Sequence, residues 1–394
     1  MTAERILTAP GKVFIAGEYA VLDRGRPALV AAVDRSLSLS VRETQGDRLV
    51  LRHAPSGASI AGRIWRGDPA VAPVGSLAWE TGVPEQLRFS VVAAEMASRL
   101  CAAEGREARG LEATFLDDLT LSMKPGEPAP PKLGLGGSAA ACVLAVRAVC
   151  AAHGRTLRPL EAMALALPAH WAAQGGSGSG ADVVASSLGG LLEVRTRFEW
   201  KSVAELLQMS PRALLDDPPC EVRGVAVPPD LRLVLAFSGA AADSRHLIRE
   251  VRAWAAWAPW RWRHHVQALT DLEASLRDAL ALAAAFPPES QEGRTAREAV
   301  LQAMRNAGAA LGALGAETGA RIVTAELARA CAVASSAGAR AGGAAGKPSG
   351  AGGGDCAVVF TFGDTARDAV EAALGQAGFP VFRISVAPAA EPDG

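Results

Sequence analysis

Three glycines within four positions, Gly134, Gly136 and Gly137, precede Ser138 and two alanines, and the chain then runs straight into an apolar helical pattern reaching His153. A backbone this bare can come very close to a bulky group before a helix opens. The helix start offers unpaired N–H groups and a partial positive charge, so such a loop suits a phosphate chain. Three other glycine motifs are excluded or fit less well. A G-x-x-x-x-G-K-[ST] loop fails because Gly346-Lys347 is followed by Pro348 and position 341 is alanine. A dinucleotide fingerprint accepts Gly134-x-Gly136-x-x-Ala139. It also needs a strand directly before it and an acid about twenty residues on, where this chain has Pro130-Pro131-Lys132 and R-T-L-R-P. The H-R-D and D-F-G signatures of protein kinases are absent. From this stretch alone, a plain glycine-rich turn with Ser138 as a helix N-cap remains open.

A length of 394 residues suggests two or three domains. With 49% hydrophobic and 21% charged residues the chain can fill a core, and a formal charge of −1 gives no reason to expect a nucleic acid or an anionic membrane as partner. The N-terminus lacks a signal-like pattern and no apolar run reaches membrane-spanning length, so a cytoplasmic monomer or homodimer is expected. Six cysteines without C-x-x-C and six histidines without H-x-x-x-H predict buried free thiols and no zinc. Only five residues are lysine against thirty-five arginines, yet Lys12, Lys132 and Lys347 all fall beside or near glycines. A compact ammonium suits a tight phosphate site where a planar guanidinium does not fit.

In order, 5–22 reads as two β-type runs broken at Ala9-Pro10-Gly11, and the runs at 28–33, 37–41 and 49–51 suggest an antiparallel meander. Residues 55–85 read as irregular, with Trp65 and Trp79 either packing or walling a base. Helices are expected at 89–103, 138–153, 159–173 and 183–188, and strands at 111–121 and 191–194. The proline-rich 201–230 region marks a boundary, giving domains 1–220 and 221–394. The second half reads as a strand at 231–237, helices near 243–257, 262–285, 294–314 and 321–337, a strand at 356–362, a helix at 364–376 and a strand at 381–386. Trp254, Trp257, Trp260 and Trp262 lie at near-helical spacing, which favours packing over base stacking.

P-G-K-V-F-I-A-G-E-Y-A-V-L from Pro10, P-K-L-G-L-G-G-S-A-A from Pro131 and K-P-S-G-A-G-G-G-D from Lys347 resemble, in order, the three motifs of the GHMP kinases. With A-H-W-A-A-Q-G-G-S-G-S-G-A-D-V from Ala169, the set is most similar to the phosphomevalonate kinase branch of that family. The resemblance implies an α+β fold of two domains: an N-terminal one like ribosomal protein S5 domain 2 and a ferredoxin-like C-terminal one, with the active site between them. It implies ATP and Mg²⁺ as cofactors, a small-molecule acceptor and phosphoryl transfer to 5-phosphomevalonate.

The roles it implies are specific. Lys132, Gly134, Leu135, Gly136, Gly137, Ser138 and Ala139 would bind ATP, with Ser138 also holding the metal. Lys12, Ser138 and Asp182 would be catalytic. Lys12, Glu18, Tyr19, Gln174, Ser179, Gly180, Asp182, Ser244, Lys347, Ser349 and Gly350 would meet the acceptor. A dianionic acceptor also needs cations, for which Lys347, Lys132, Arg245 and His246 are candidates. Asp182 otherwise reads as an N-cap. The chain departs from the family at Gly137, where a serine is common, and at Gln174, near where mevalonate kinases carry a metal-binding glutamate. Asp243 is a third departure, at a serine position in a phosphomevalonate kinase stretch. A kinase acting on a hydroxyl, such as mevalonate kinase, and a non-catalytic ATP or metabolite sensor are the alternatives.

Overall fold

The computed structural model describes residues 4–68, 72–117, 119, 133–197, 200 and 202–391. Strand β1 (Arg5–Ala16) pairs antiparallel with β2 (Pro27–Thr44), and the register slips between Pro10 and Gly11. Proline has no donor for the ladder, and opposite it β2 bulges by two residues, Asp34 and Arg35, before pairing continues. The runs at 28–33 and 37–41, expected as separate members of a meander, are one strand of 18 residues whose exposed middle is Asp34, Arg35 and Ser36. Asp34 and Arg35 have no partner in β1, and the pairing resumes at Val33 opposite Gly11.

Strands β3 (Arg48–His53), β4 (Ala58–Ile64) and β5 (Leu77–Trp79) follow, so part of the stretch expected to be irregular is sheet. Its alanines and glycine carry little β-propensity, and pairing with β3 overrides it. Then come α1 (Arg88–Ala103), β6 (Gly110–Phe115), α2 (Gly137–Ala152), α3 (Pro159–Ala173), α4 (Ala181–Leu188) and β7 (Leu191–Thr196). Two short helices, α5 (Val203–Gln208) and α6 (Pro211–Asp216), lead to β8 (Cys220–Val225). The first sheet has the order β5-β4-β3-β6-β2-β7-β8 with β1 on β2. Because β8 pairs with β7, this sheet extends past residue 220.

The second sheet opens with β9 (Leu231–Phe237). Helices α7 (Ser244–Trp257), α8 (Pro259–Ala285), α9 (Gln291–Thr318) and α10 (Ala325–Gly338) precede β10 (Ala344–Pro348), β11 (Cys356–Phe362), α11 (Asp364–Gln376) and β12 (Val381–Ile384). Strand β10, hidden in sequence by its glycine-rich surroundings, completes the antiparallel order β10-β11-β9-β12. That is the split βαβ arrangement of a ferredoxin-like sheet, as expected.

The apolar run of β2 is buried on both faces. Val30 and Ala32 enter the core under α1 to α4, while Leu29, Ala31 and Val33 join Val13 and Ile15 of β1 against Leu233 and Leu235 of β9 and Leu276 and Leu280 of α8. Alternation along a strand sends successive side chains to opposite faces, so one strand pair serves two cores. The tail returns to β2 and the end of α4, with Ala387 N–H donating to Ala32 O and Ala390 N–H to Leu188 O. Among the described residues no helix is long and apolar enough to cross a membrane.

Candidate active site

A cleft of about 810 Å³ lies where the glycine loop and the starts of α2, α4 and α7 meet β1 and the β10–β11 connection. Strand β1, just past the register slip at Pro10, places Lys12 at its wall. The Lys12 backbone N–H donates to Leu135 O at 2.8 Å and its ammonium to Gly134 O at 2.7 Å, so one residue holds the loop twice. Gly134 has φ +72°, and a Cβ there would lie 2.4 Å from Asp355 Oδ2. Only glycine fits both the backbone and the space.

Gly136, also left-handed, is the N-cap of α2 and offers no side chain to the first turn. Ser138 is therefore not the cap; its hydroxyl lies 3.1 Å from His170 Nε2. Asp182 is likewise not the N-cap of α4, which is Gly180. Asp182 Oδ1 accepts from Val183 N–H at 3.0 Å, and Oδ2 lies 3.8 Å from the same His170 nitrogen. Serine and carboxylate thus approach one imidazole nitrogen rather than opposite ones. A Ser-His-Asp relay needs both nitrogens, so this is not a nucleophilic triad.

Burial lowers the Lys12 pKa below the ordinary lysine value, while Asp182, Asp355 and Glu18 pull it back up. Burial also lowers His170, with Asp182 opposing and Lys12 reinforcing, a shift that favours the neutral imidazole. Burial raises Asp355, against a hydrogen bond from Ala242 N–H and the charge of Lys12.

The expected acceptor residues divide. Glu18, Tyr19, Gln174, Ser179, Gly180, Ser244, Ser349 and Gly350 line the cleft, as do Gly134, Leu135, Gly136 and Gly137, but Ala139 does not. Tyr19 O–H donates to Ala351 O at 2.6 Å, and Ser349 Oγ accepts from Phe14 N–H at 3.0 Å, so these two also tie β1 and the turn after it to the β10–β11 connection. Lys347 is a correction. It is fully buried, its ammonium bound by the Glu18 carboxylate and Pro348 O, and it does not line the cleft. A charge this deep needs a fixed partner, and Glu18 supplies it. His246 is also diverted, 3.2 Å from Glu250 and off the cleft, whereas Arg245 lines it. Lys132 lies outside the described residues.

Asp243 is the N-cap of α7, its Oδ1 accepting from His246 N–H at 3.0 Å; that bond holds its carboxyl below the usual aspartate value. Trp65 and Trp79 do not line the cleft, nor do the tryptophans of α7 and α8, of which Trp262 is buried and Trp257 and Trp260 are exposed. The six thiols are free, five of them buried.

Sequence reasoning assigned no role to His170 or Asp355, although both stood inside motifs it singled out. It also missed Leu37, His53, Phe89 and Phe115, which give the cleft an apolar and aromatic lining.

Residues 94–190 match the model of the GHMP kinases N terminal domain and residues 295–380 that of the GHMP kinases C terminal domain. The phosphomevalonate kinase of Streptomyces sp. (strain CL190) is 31% identical over 375 residues, covering 91% of this chain and 90% of that one. The chain belongs to the GHMP kinases. Among solved structures, the Lin0012 protein of Listeria innocua superposes on this GHMP kinase with a TM-score of 0.81 at 20% identity, each chain covered in full. Streptococcus pneumoniae phosphomevalonate kinase, in complex with phosphomevalonate and AMPPNP, superposes with a TM-score of 0.72 at 18% identity, over 96% of this chain and 99% of that one. At those identities the superpositions establish the shared fold.

Proposed function

We propose that this GHMP kinase transfers the γ-phosphoryl group of ATP to 5-phosphomevalonate, giving ADP and 5-diphosphomevalonate. The observation that carries the reading is the convergence of a glycine loop, a helix start with no side-chain cap, Lys12 and Asp182 in one cleft. Likeness to the Streptomyces phosphomevalonate kinase along nine-tenths of both chains supports this acceptor. Phosphoryl transfer needs alignment and charge stabilisation more than covalent chemistry.

In this reading the amides of 135–139 cradle the nucleotide phosphates, and the Lys12 ammonium faces the group in flight. A phosphate monoester has a second pKa near ~6 and is already ionised at neutral pH, so an acceptor oxygen attacks phosphorus without a base. Asp182 then serves to keep Lys12 charged and placed. Arg245 is the exposed cation on the acceptor side, and the Asp243 carboxylate is engaged by its own helix.

The donors fit Mg²⁺ delivered with the nucleotide. Ser138 and Asp182 offer hard oxygens, and no cluster of three or more His, Cys, Asp or Glu forms a cage among the described residues. Mg²⁺ would be held by Ser138 and Asp182 together with phosphate oxygens, supplying charge neutralisation on the phosphate chain.

The test is ADP release with Mg-ATP, comparing mevalonate 5-phosphate with mevalonate. Turnover confined to the phosphorylated acceptor is expected. Turnover confined to mevalonate would overturn the acceptor and make Asp182 a base, and nucleotide binding with no turnover on either would overturn the kinase assignment to this substrate.

A further inference from the structure

His170 is an imidazole inside an almost wholly buried helix, 1% exposed, stacked at a tilt on Phe89 with ring centroids 5.0 Å apart. Burying a polar ring without a partner is costly, and its Nε2 has one, the Ser138 hydroxyl at 3.1 Å. A helical serine ordinarily turns its hydroxyl back onto the carbonyl three or four residues earlier. For Ser138 those carbonyls belong to Leu135 and Gly134, and Lys12 already donates to both. His170 Nε2, at 3.1 Å, is the partner the Ser138 hydroxyl has from the protein side.

We infer that His170 is a positioning residue: its Nε2 accepts the Ser138 hydroxyl proton and so fixes both Oγ lone pairs toward the cleft, where a nucleotide-borne divalent cation binds. A neutral imidazole has one acceptor nitrogen, and the proposed role gives that part to Nε2. The same nitrogen lies 3.8 Å from Asp182 Oδ2, beyond hydrogen-bond reach, so it leaves the carboxylate free. Lys12 and His170 divide the work: the lysine fixes the loop's carbonyls, the histidine fixes the hydroxyl that follows them.

The inference rests on reading the cleft as a nucleotide site, not on the acceptor. It is tested by calorimetric binding of a non-hydrolysable ATP analogue with Mg²⁺ and with EDTA, alongside steady-state kinetics. His170→Gln places an amide at the reach of Nε2, whereas His170→Asn stays polar but stops short. Expected for His170→Asn is about tenfold weaker binding with Mg²⁺, about 1.4 kcal/mol, and unchanged binding in EDTA. The KM for Mg-ATP rises with it while that for the acceptor holds, and His170→Gln recovers most of the loss. In a Ser138→Ala background His170→Asn should add nothing.

Equal losses with and without Mg²⁺, additivity with Ser138→Ala, or an Asn variant that binds as wild type would each overturn the role of His170. Wild-type protein that fails to bind the nucleotide would overturn the functional reading and this inference together. Failure of the proposed acceptor alone would leave the binding result standing.

Discussion

Lys12 shows how much one side chain carries here. It anchors the glycine loop through Gly134 O, faces the cleft, and sits in a field of three carboxylates that offset the lowering of its pKa by burial. Lys12→Met should lower kcat by about 10²–10³-fold with the melting temperature nearly kept, the size expected for a lost transition-state charge contact. The pH dependence carries a sign. Lys12 acts when protonated and its pKa is already lowered, so activity falls on the alkaline side as the amine loses its proton. Asp355 is one of the carboxylates raising that pKa; Asp355→Asn should move the alkaline limb of kcat/KM to lower pH, and a limb that stays or moves upward would remove Asp355 from the site. The contrast with Lys347 marks what residue patterns leave open. Both lysines follow a glycine, and only the fold shows one facing a cleft and the other closed inside an ion pair with Glu18.

At the scale of elements, the start of α2 does what its sequence announced. The helix opens at Gly137, one residue before the expected 138, because Gly136 supplies the left-handed cap. Gly134→Ala should cost about 1–3 kcal/mol in urea unfolding, since it adds a strained φ to a clash with Asp355. Helix α7 gives a milder case. Asp243→Ala should lower the melting temperature and Asp243→Ser should restore it, because either oxygen can cap the His246 amide. Loss of turnover in Asp243→Ser would show that the carboxylate does more than cap. What sequence missed has a common cause. Strands β4 and β10 are rich in alanine and glycine and carry no strong alternation, and α3 is buried on nearly every side, so no polar face drew attention to His170. Patterns reveal elements with one wet face; elements without one are defined by what surrounds them.

Across the whole molecule, the motifs spaced through the sequence are joined by contacts over more than 300 positions. The Glu18–Lys347 pair and the Tyr19–Ala351 and Phe14–Ser349 hydrogen bonds all tie β1 and the turn after it to β10 and the β10–β11 connection. Lys347→Met strands a buried carboxylate and should cost about 3–5 kcal/mol, seen as a large fall in the unfolding midpoint; adding Glu18→Gln should return part of it. A midpoint unmoved by Lys347→Met would show that the pair does not hold the lobes.

Strands β1 and β2 give Val30 and Ala32 to one core and Val13, Ile15, Leu29, Ala31 and Val33 to the other. The two lobes therefore share a keel rather than meet at a seam. A keel cannot be split: a fragment ending at residue 225 would present that apolar strip to water and aggregate, and heat should melt the full chain as one unit. Nor can a keel bend without disturbing both cores, so any closing of the cleft belongs to the loops at its rim, above a floor that stays still.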